Sequence, residues 1–96
     1  MITAIVNFDL PEGMSGAQAK EMFETSAPRY ESVPGLVRKY YLFDAESGTG
    51  GGVYLWRDRA SADALYEGAW RDTIRERFGS DPRIAWFDTP VIVDNS

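Results

Sequence analysis

The sequence has no cysteine and no histidine among its 96 residues. Without cysteine there are no disulfides, thiolate nucleophiles or cysteine-held metals, which is typical of a reducing compartment. Without histidine there is no serine triad, no imidazole base and no histidine ligand for zinc, iron or haem. We therefore expect a protein without metal or other cofactor, whose chemistry depends on tyrosine, tryptophan, arginine, lysine, asparagine and carboxylates.

Long apolar runs and an excess of basic residues are also missing. No run approaches the roughly 18 residues of a membrane span, and the start lacks the pattern of a signal peptide. The formal net charge is -5, from 15 acidic and 10 basic side chains. Phosphate backbones are poor partners for such a chain. The expectation is a cytoplasmic protein that binds neither membrane nor nucleic acid.

The length and the hydrophobic pattern predict a single α+β domain over residues 1–96 with the element order βαββαβ. Asp44–Gly52 is predicted to be a long glycine-rich loop. Thr89-Pro90 interrupts the last strand, so that strand should lie at a sheet edge. The predicted strands are Ile2–Asp9, Leu36–Phe43, Val53–Trp56 and Arg83–Val93.

Two helical stretches are predicted between the strands. The first follows Ser15, where Gln18 three residues later completes a capping box, and Pro28 should kink or end it. The second runs from about Asp58 to Phe78 and should kink at Gly68. Two helices can cover only one face of a sheet of about four strands, yet both faces of these strands are rich in apolar residues. A homodimer that packs sheet against sheet would cover the other face.

Three strings carry a resemblance to a known family: PGLVRKYYLFD, GGGVYLWRDRASADALY and FDTPVIVDN. They resemble the YdhR-type mono-oxygenases, members of the dimeric α+β barrel group that includes the cofactor-independent antibiotic-biosynthesis mono-oxygenases. The resemblance implies a ferredoxin-like protomer with an antiparallel sheet, and a homodimer whose two sheets form a barrel. It also implies oxygenase chemistry.

The resemblance implies some of the candidate site residues. Oxygenases of the wider group have an asparagine on the first strand and a tryptophan at the end of the third, and Asn7 and Trp56 occupy comparable places. The haem-degrading branch adds a helix histidine, where this chain offers Tyr66. Tyrosine is an uncommon axial ligand of haem, which argues against haem degradation. Asn7 can equally bond within the sheet, and Trp56 can equally be core, although its indole N–H needs a partner.

A pair of adjacent cations, Arg38 and Lys39, lies on the second predicted strand. Neighbouring strand residues point to opposite faces, so at least one cation must face an apolar surface. It either pairs with Asp9, Asp44 or Asp88, or it stabilises a phenolate or enolate.

Eight residues are candidates for catalysis or for contact with a substrate. Aromatic residues on the strands and helices can instead be packing residues. The catalytic candidates are Asn7, Trp56, Tyr66 and Arg38, and the substrate-binding candidates are Tyr40, Tyr54, Trp70 and Phe23.

Three functions remain open. The first is a cofactor-independent mono-oxygenase for a small aromatic or phenolic molecule of quinol or polyketide type. The second is a non-catalytic or lyase-like barrel that binds a small apolar or aromatic molecule. The third is an RNA-recognition module with Phe8, Tyr54 and Trp56 as a stacking platform. Two features argue against RNA. A platform requires Phe8 to lie on the same face as Tyr54 and Trp56, and strand parity is expected to separate them. The acidic net charge also opposes phosphate binding.

Overall fold

The protein consists of a four-stranded antiparallel sheet and three helices, which together form an α+β ferredoxin-like fold. The structure is a computed structural model that describes all residues, Met1–Ser96. The order across the sheet is β2-β3-β1-β4, with every neighbouring pair antiparallel. The predicted fold class is confirmed. The elements are β1 (Ile2–Asp9), α1 (Gly16–Tyr30), β2 (Leu36–Asp44), β3 (Thr49–Trp56), α2 (Arg59–Tyr66), α3 (Trp70–Phe78) and β4 (Arg83–Asp88).

The two faces of the sheet are set by the alternation along β1. Ala4, Val6 and Phe8 are buried, and Ala4 lies opposite both Tyr54 and Trp86. These side chains form the helix-covered face, together with the buried residues of the three helices. The opposite face, here called the open face, carries the alternate residues Ile5, Asn7, Leu42, Val53, Leu55 and Phe87.

The β2–β3 hairpin is tighter than predicted, because β3 begins at Thr49 and only four residues, 45–48, connect the strands. The run of glycines belongs to the strand and not to a loop. A Cβ on Gly51 would collide with the carbonyl oxygen of Val6, and one on Gly52 would lie 2.9 Å from the carbonyl oxygen of Tyr40. The close approach of the neighbouring strands therefore requires these glycines.

The helix ends follow the capping residues of the sequence. The predicted capping box is present: the Ser15 hydroxyl accepts from the Gln18 amide at 3.1 Å, and the Gln18 side chain accepts from the Ser15 amide at 2.8 Å. Pro28 lies in the last turn of α1, which continues to Tyr30. The second helical stretch is divided into α2 and α3 by residues 67–69, which include Gly68.

The last strand is shorter than predicted, since β4 ends at Asp88 and the chain beyond it has no regular structure. Proline at position 90 cannot donate to a ladder, which explains the end. As predicted, β4 lies at a sheet edge. The Thr89 amide donates to the Met1 carbonyl at 3.0 Å, and a salt bridge of 3.5 Å joins Asp94 to Arg38 on β2. The tail thus crosses the open face from one sheet edge to the other.

The open face and the tail expose apolar side chains. Phe87 is 53% exposed, and Val91 and Val93 on the tail are 76% and 79% exposed. All three helices lie on the other side of the sheet. None of the three has the length and apolarity required to cross a membrane.

Candidate active site

Lys39 is partly buried between the sheet and the helices, and tyrosine rings surround its amine. Its Nζ is 3.3 Å from the ring centroid of Tyr30, 3.8 Å from that of Tyr41 and 4.6 Å from that of Tyr54. The rings come from α1, β2 and β3, so three elements converge on one amine. The register shift at Val37 sets the inward direction, because Lys39 then pairs with the buried Tyr54.

The protonation of Lys39 is set by opposing effects. Tyrosine faces favour an ammonium ion, whereas burial disfavours it. Burial is the larger effect and, together with the nearby positive charge of Arg77, lowers the pKa of Lys39 to about 6. No carboxylate lies within 4.0 Å of Nζ. The side chain is therefore largely a neutral amine at neutral pH, able to accept a proton.

A small cavity of about 30 Å³ adjoins Lys39. This volume is about that of one water molecule. Two wider grooves along α1 and β2 reach the same residues: one of about 240 Å³ shares Tyr30, Lys39 and Tyr41 with the cavity, and one of about 320 Å³ shares Phe23 and Tyr41. The 240 Å³ groove therefore reaches Lys39 from the surface. The cavity is lined by Phe8, Phe23, Ser26, Arg29, Tyr30, Lys39, Tyr41, Gly51, Tyr54, Thr73, Ile74, Arg77 and Phe78.

The tyrosines around Lys39 are fixed by hydrogen bonds and stacking. The Trp70 indole N–H donates to the Tyr30 hydroxyl at 3.1 Å, and the hydroxyls of Ser26 and Tyr41 lie 2.7 Å apart. Phe23 stacks on Tyr41 with ring centroids 4.8 Å apart. Burial raises the pKa of the Tyr41 phenol. Tyr41 is therefore a neutral phenol, and the core holds the positions of these rings.

The structure brings Trp56 and Tyr66 together, although neither lines the cavity. The Trp56 indole N–H donates to the Tyr66 hydroxyl at 3.2 Å, and both side chains are buried. Burial raises the pKa of Tyr66, which therefore keeps its proton. The partner that the Trp56 indole N–H needs is thus the Tyr66 hydroxyl. Tyr66 is packed between Trp70 and Trp86, with ring centroids 4.5 and 5.6 Å away.

Three candidate residues lie on the open face, away from the cavity. Asn7 is opposite Gly51 on β3 and Arg83 on β4, so it cannot share a pocket with Trp56. Arg38 and Tyr40 are exposed and bonded to each other, with 3.1 Å between Nη1 and the phenol oxygen. The structure does not bring Asn7 and Arg38 together with Trp56 and Tyr66, because strand alternation puts the first two on the opposite side of the sheet.

The ion pairs also differ from the alternatives considered from sequence. Arg38 pairs with Asp94 at 3.5 Å, and Asp9 pairs with Arg83 at 3.2 Å. Lys39, the inward cation, has no acidic partner. The two adjacent cations in the sequence indicate that one of them faces inward. The bulge at Val37 determines that this residue is Lys39 and not Arg38. Of the remaining candidates, Phe23 and Tyr54 line the cavity, and Trp70 acts on it through Tyr30.

Helices cover the three aromatic residues that were considered as a stacking platform for RNA, Phe8, Tyr54 and Trp56. Phe8 does share a face with Tyr54 and Trp56, so the parity argument against it was wrong. That face is the helix-covered one, and the exposed fractions of the three side chains are 4%, 2% and 0%. Bases cannot stack on rings that are buried beneath helices.

Comparison with known proteins identifies relatives of this fold. The family described as "Putative mono-oxygenase ydhR" matches residues 5–82. Comparison with curated protein sequences gave no match. A protein of unknown function from Nitrosomonas europaea is similar in structure, with a TM-score of 0.76 and 16% identity over 99% of this chain and 94% of that one.

Two oxygenases of Streptomyces share the fold at low sequence identity. The cofactor-independent oxygenase SnoaB of Streptomyces nogalater, solved as a mutant, has a TM-score of 0.66 and 18% identity, over 96% of this chain and 95% of that one. The monooxygenase ActVA-Orf6 of Streptomyces coelicolor, solved with Nanaomycin D, has a TM-score of 0.70 and 13% identity, over 99% of this chain and 92% of that one. These likenesses establish the shared fold.

Proposed function

The chain belongs to the YdhR mono-oxygenase family, and from that premise we propose that it is a cofactor-independent mono-oxygenase acting on a small phenolic or quinol-type aromatic molecule. The observation that carries the proposal is the neutral amine of Lys39 in a tyrosine-walled cavity. A reaction of this kind needs a base that ionises the substrate, a site that orients it, and limited access of water.

Lys39 is the base in this proposal. It removes a proton from the phenol or from the acidic carbon of an anthrone-type ring, and the new ammonium ion rests against the faces of Tyr30, Tyr41 and Tyr54. Those faces stabilise the charged product more than the neutral amine. Arg77, which also lines the cavity, favours the anionic substrate.

Molecular oxygen is the oxidant. The ionised ring gives an electron to oxygen, and recombination forms a carbon–oxygen bond and a hydroperoxide. For an anthrone-type CH₂ group, loss of water then leaves a C=O group, so that CH₂ and O₂ give C=O and H₂O. The proton held by Lys39 can leave with that water, and the amine is then regenerated.

The substrate would lie in the α1–β2 groove and reach Lys39 from there. The cavity itself, at about 30 Å³, is too small for an aromatic ring. The groove next to it is about 240 Å³ and includes Lys39, Tyr30 and Tyr41. Phe23 and Tyr41 offer a stacking surface in the second groove.

We also propose that the protein is a homodimer joined through the open face. Tyr40 and Phe87 are each 53% exposed there, and the tail adds Val91 and Val93. Contiguous apolar area of this kind is usually covered by a partner. A second copy of the chain offers the same surface, which suits a two-fold interface.

Oxygen uptake without added cofactor tests the proposed activity. A panel of phenols, quinols and anthrones is supplied to the wild type, to Lys39→Met and to Arg57→Met, which changes an exposed cation that lines neither the cavity nor its two grooves. Loss of a general base should lower turnover by about 100-fold or more in Lys39→Met only. If no compound is consumed above its uncatalysed rate while several bind, the chain is a small-molecule-binding barrel and the oxygenase proposal is wrong.

A further inference from the structure

Positive charge surrounds the interior cavity, and no acidic side chain lines it. Lys39, the half-buried Arg77 and the exposed Arg29 all contribute to its wall. None of the three takes part in a salt bridge. The Arg77 Nη2 donates instead to the carbonyl oxygen of Met22 at 2.9 Å. In a protein of formal net charge -5, the wall of this cavity therefore carries two arginines and one amine without an acidic partner from its own chain.

The charged and titratable groups facing Lys39 come from every surrounding element. They are Arg29 and Tyr30 from α1, Tyr41 from β2, Tyr54 from β3 and Arg77 from α3. The two arginines favour negative charge nearby, since both act to lower the pKa of Tyr41 against the larger effect of burial. The nearest acidic side chains line the outer grooves, not the cavity.

Those outer acids are few, and they are exposed. Glu31 borders the groove that contains Lys39, and Glu24 borders the groove that contains Phe23. Glu12 and Glu21 share a surface groove with Arg77. None of them forms an ion pair with a cation of the cavity. A ligand anion would therefore meet Arg29, Arg77 and the amine of Lys39 at the cavity. The outer grooves offer it both acids and the cations Arg38 and Lys20.

We propose that the groove next to this cavity binds an aromatic acid with its carboxylate directed at Lys39, so that the substrate is a hydroxyaromatic carboxylate and not a neutral phenol. The inference rests on the proposed function only for its claim that the bound molecule is also oxidised. One negative charge next to Lys39 supplies the counter-ion that the fold leaves out. The aromatic ring then lies in the groove against Tyr41 and Phe23.

Binding of an anion must be linked to the protonation of Lys39. A bound carboxylate favours the ammonium form, so the pKa of Lys39 rises on binding, and Lys39 can act as the base only in the fraction of the complex whose amine is neutral. Binding takes up a proton between the pKa of about 6 for the free protein and the raised pKa of the complex. Affinity consequently falls as the pH rises above that value, and it levels off below it.

Calorimetry with salicylate and its neutral analogue salicylamide tests the inference on the full chain. Salicylate should bind about 10-fold or more tightly than salicylamide near pH 6.5, the scale of a hydrogen bond to a charged group. Its affinity should weaken toward pH 8.5, with proton uptake seen as a dependence of the heat on buffer ionisation. Lys39→Met should remove the preference and the uptake, and Arg57→Met, at an exposed position outside the grooves, should retain both.

Equal affinity for the two compounds, or a preference that does not change with pH, would overturn the inference. The proton-uptake measurement uses the wild type, so it decides the matter even if Lys39→Met fails to fold. The two proposals fail separately. Salicylate binding without oxygen consumption by any panel compound removes the oxygenase and keeps the anion site. Turnover of neutral phenols without preference for salicylate does the reverse.

Discussion

The Nζ of Lys39 lies 3.3 Å from the centre of the Tyr30 ring, and the Tyr30 hydroxyl accepts a hydrogen bond of 3.1 Å from the Trp70 indole. The Trp70 side chain thus fixes the Tyr30 ring, and the amine of Lys39 rests against the face of that ring. Most buried lysines are paired with a carboxylate. This one has aromatic neighbours and a second cation, Arg77, which together with burial lowers its pKa to about 6.

The first prediction concerns stability and pH. The folded-state pKa of Lys39 is about 6, below the ordinary lysine value of 10.5, so the unfolded chain binds more protons between these values. The free energy of unfolding should therefore rise with pH above about 6, by at most about 1.4 kcal/mol per pH unit. Urea unfolding at several pH values checks this. Because the chain has no histidine or cysteine, few other groups titrate in this range.

Lys39→Met should be more stable than the wild type at pH 7 and should lose the slope, since no amine has to be buried. Lys20 is 79% exposed, and Lys20→Met should retain the wild-type slope. A lower stability of Lys39→Met with an unchanged slope would mean that Lys39 stays charged in the folded protein.

The second prediction concerns rate and pH. If Lys39 is the base, kcat/KM for a neutral phenol should rise with pH and reach a plateau above the pKa of about 6, because kcat/KM reports the free enzyme. A stopped-flow or oxygen-electrode profile gives the apparent pKa. A flat profile between about pH 5 and about pH 8 would exclude Lys39 as the base.

The third prediction separates core from site. Tyr66→Phe leaves the buried Trp56 N–H without its acceptor, which should cost about 1–3 kcal/mol of stability. The double variant with Trp56→Phe should lose less than the sum of the two single variants, since the pair is removed together. Turnover per folded molecule should change little, because neither residue lines the cavity. A 100-fold loss of kcat in Trp56→Phe at unchanged stability would restore a catalytic role.

The fourth prediction uses two glycines. Gly51→Ala should destabilise the protein by about 3 kcal/mol or more, on the scale of severe strain, because its methyl group meets the Val6 carbonyl. Gly16→Ala should be neutral or stabilising by up to about 1 kcal/mol. Its methyl group would meet only Phe43, at 3.5 Å, and position 16 begins α1. Thermal unfolding of both variants decides whether Gly51 lies in the strand as described.

The fifth prediction concerns assembly. Wild type should sediment as a dimer at micromolar concentration. The double variant Val91→Asp/Val93→Asp puts charges on the tail, and its dimer dissociation constant should rise by about 100-fold, the scale of two interface anchors. Ala64→Asp, an exposed change on α2, is the matched control. A wild type that is monomeric at every concentration would contradict the homodimer and the open face as its interface.

The sequence by itself determined the element order and most element bounds. The alternation in β1 and the Ser15–Gln18 capping box are local patterns, and the structure confirms both. The glycine run 50–52 lies in β3, and the sequence-based prediction of a loop there is wrong. Local composition predicts a loop there, whereas two neighbouring strands approach so closely that only glycine fits. Such a requirement comes from residues distant in the chain and is not visible locally.

The site was decided by the tertiary structure. The sequence showed that one of two adjacent cations must face inward, but the bulge at Val37 determined that it is Lys39. Likewise, the aromatic residues were visible, but their partners were not: Tyr66 takes the Trp56 N–H, and Tyr30, Tyr41 and Tyr54 surround the amine. Strand parity fixes which residues share a face, whereas strand register and helix packing fix which of them meet. Register and packing depend on the whole chain at once.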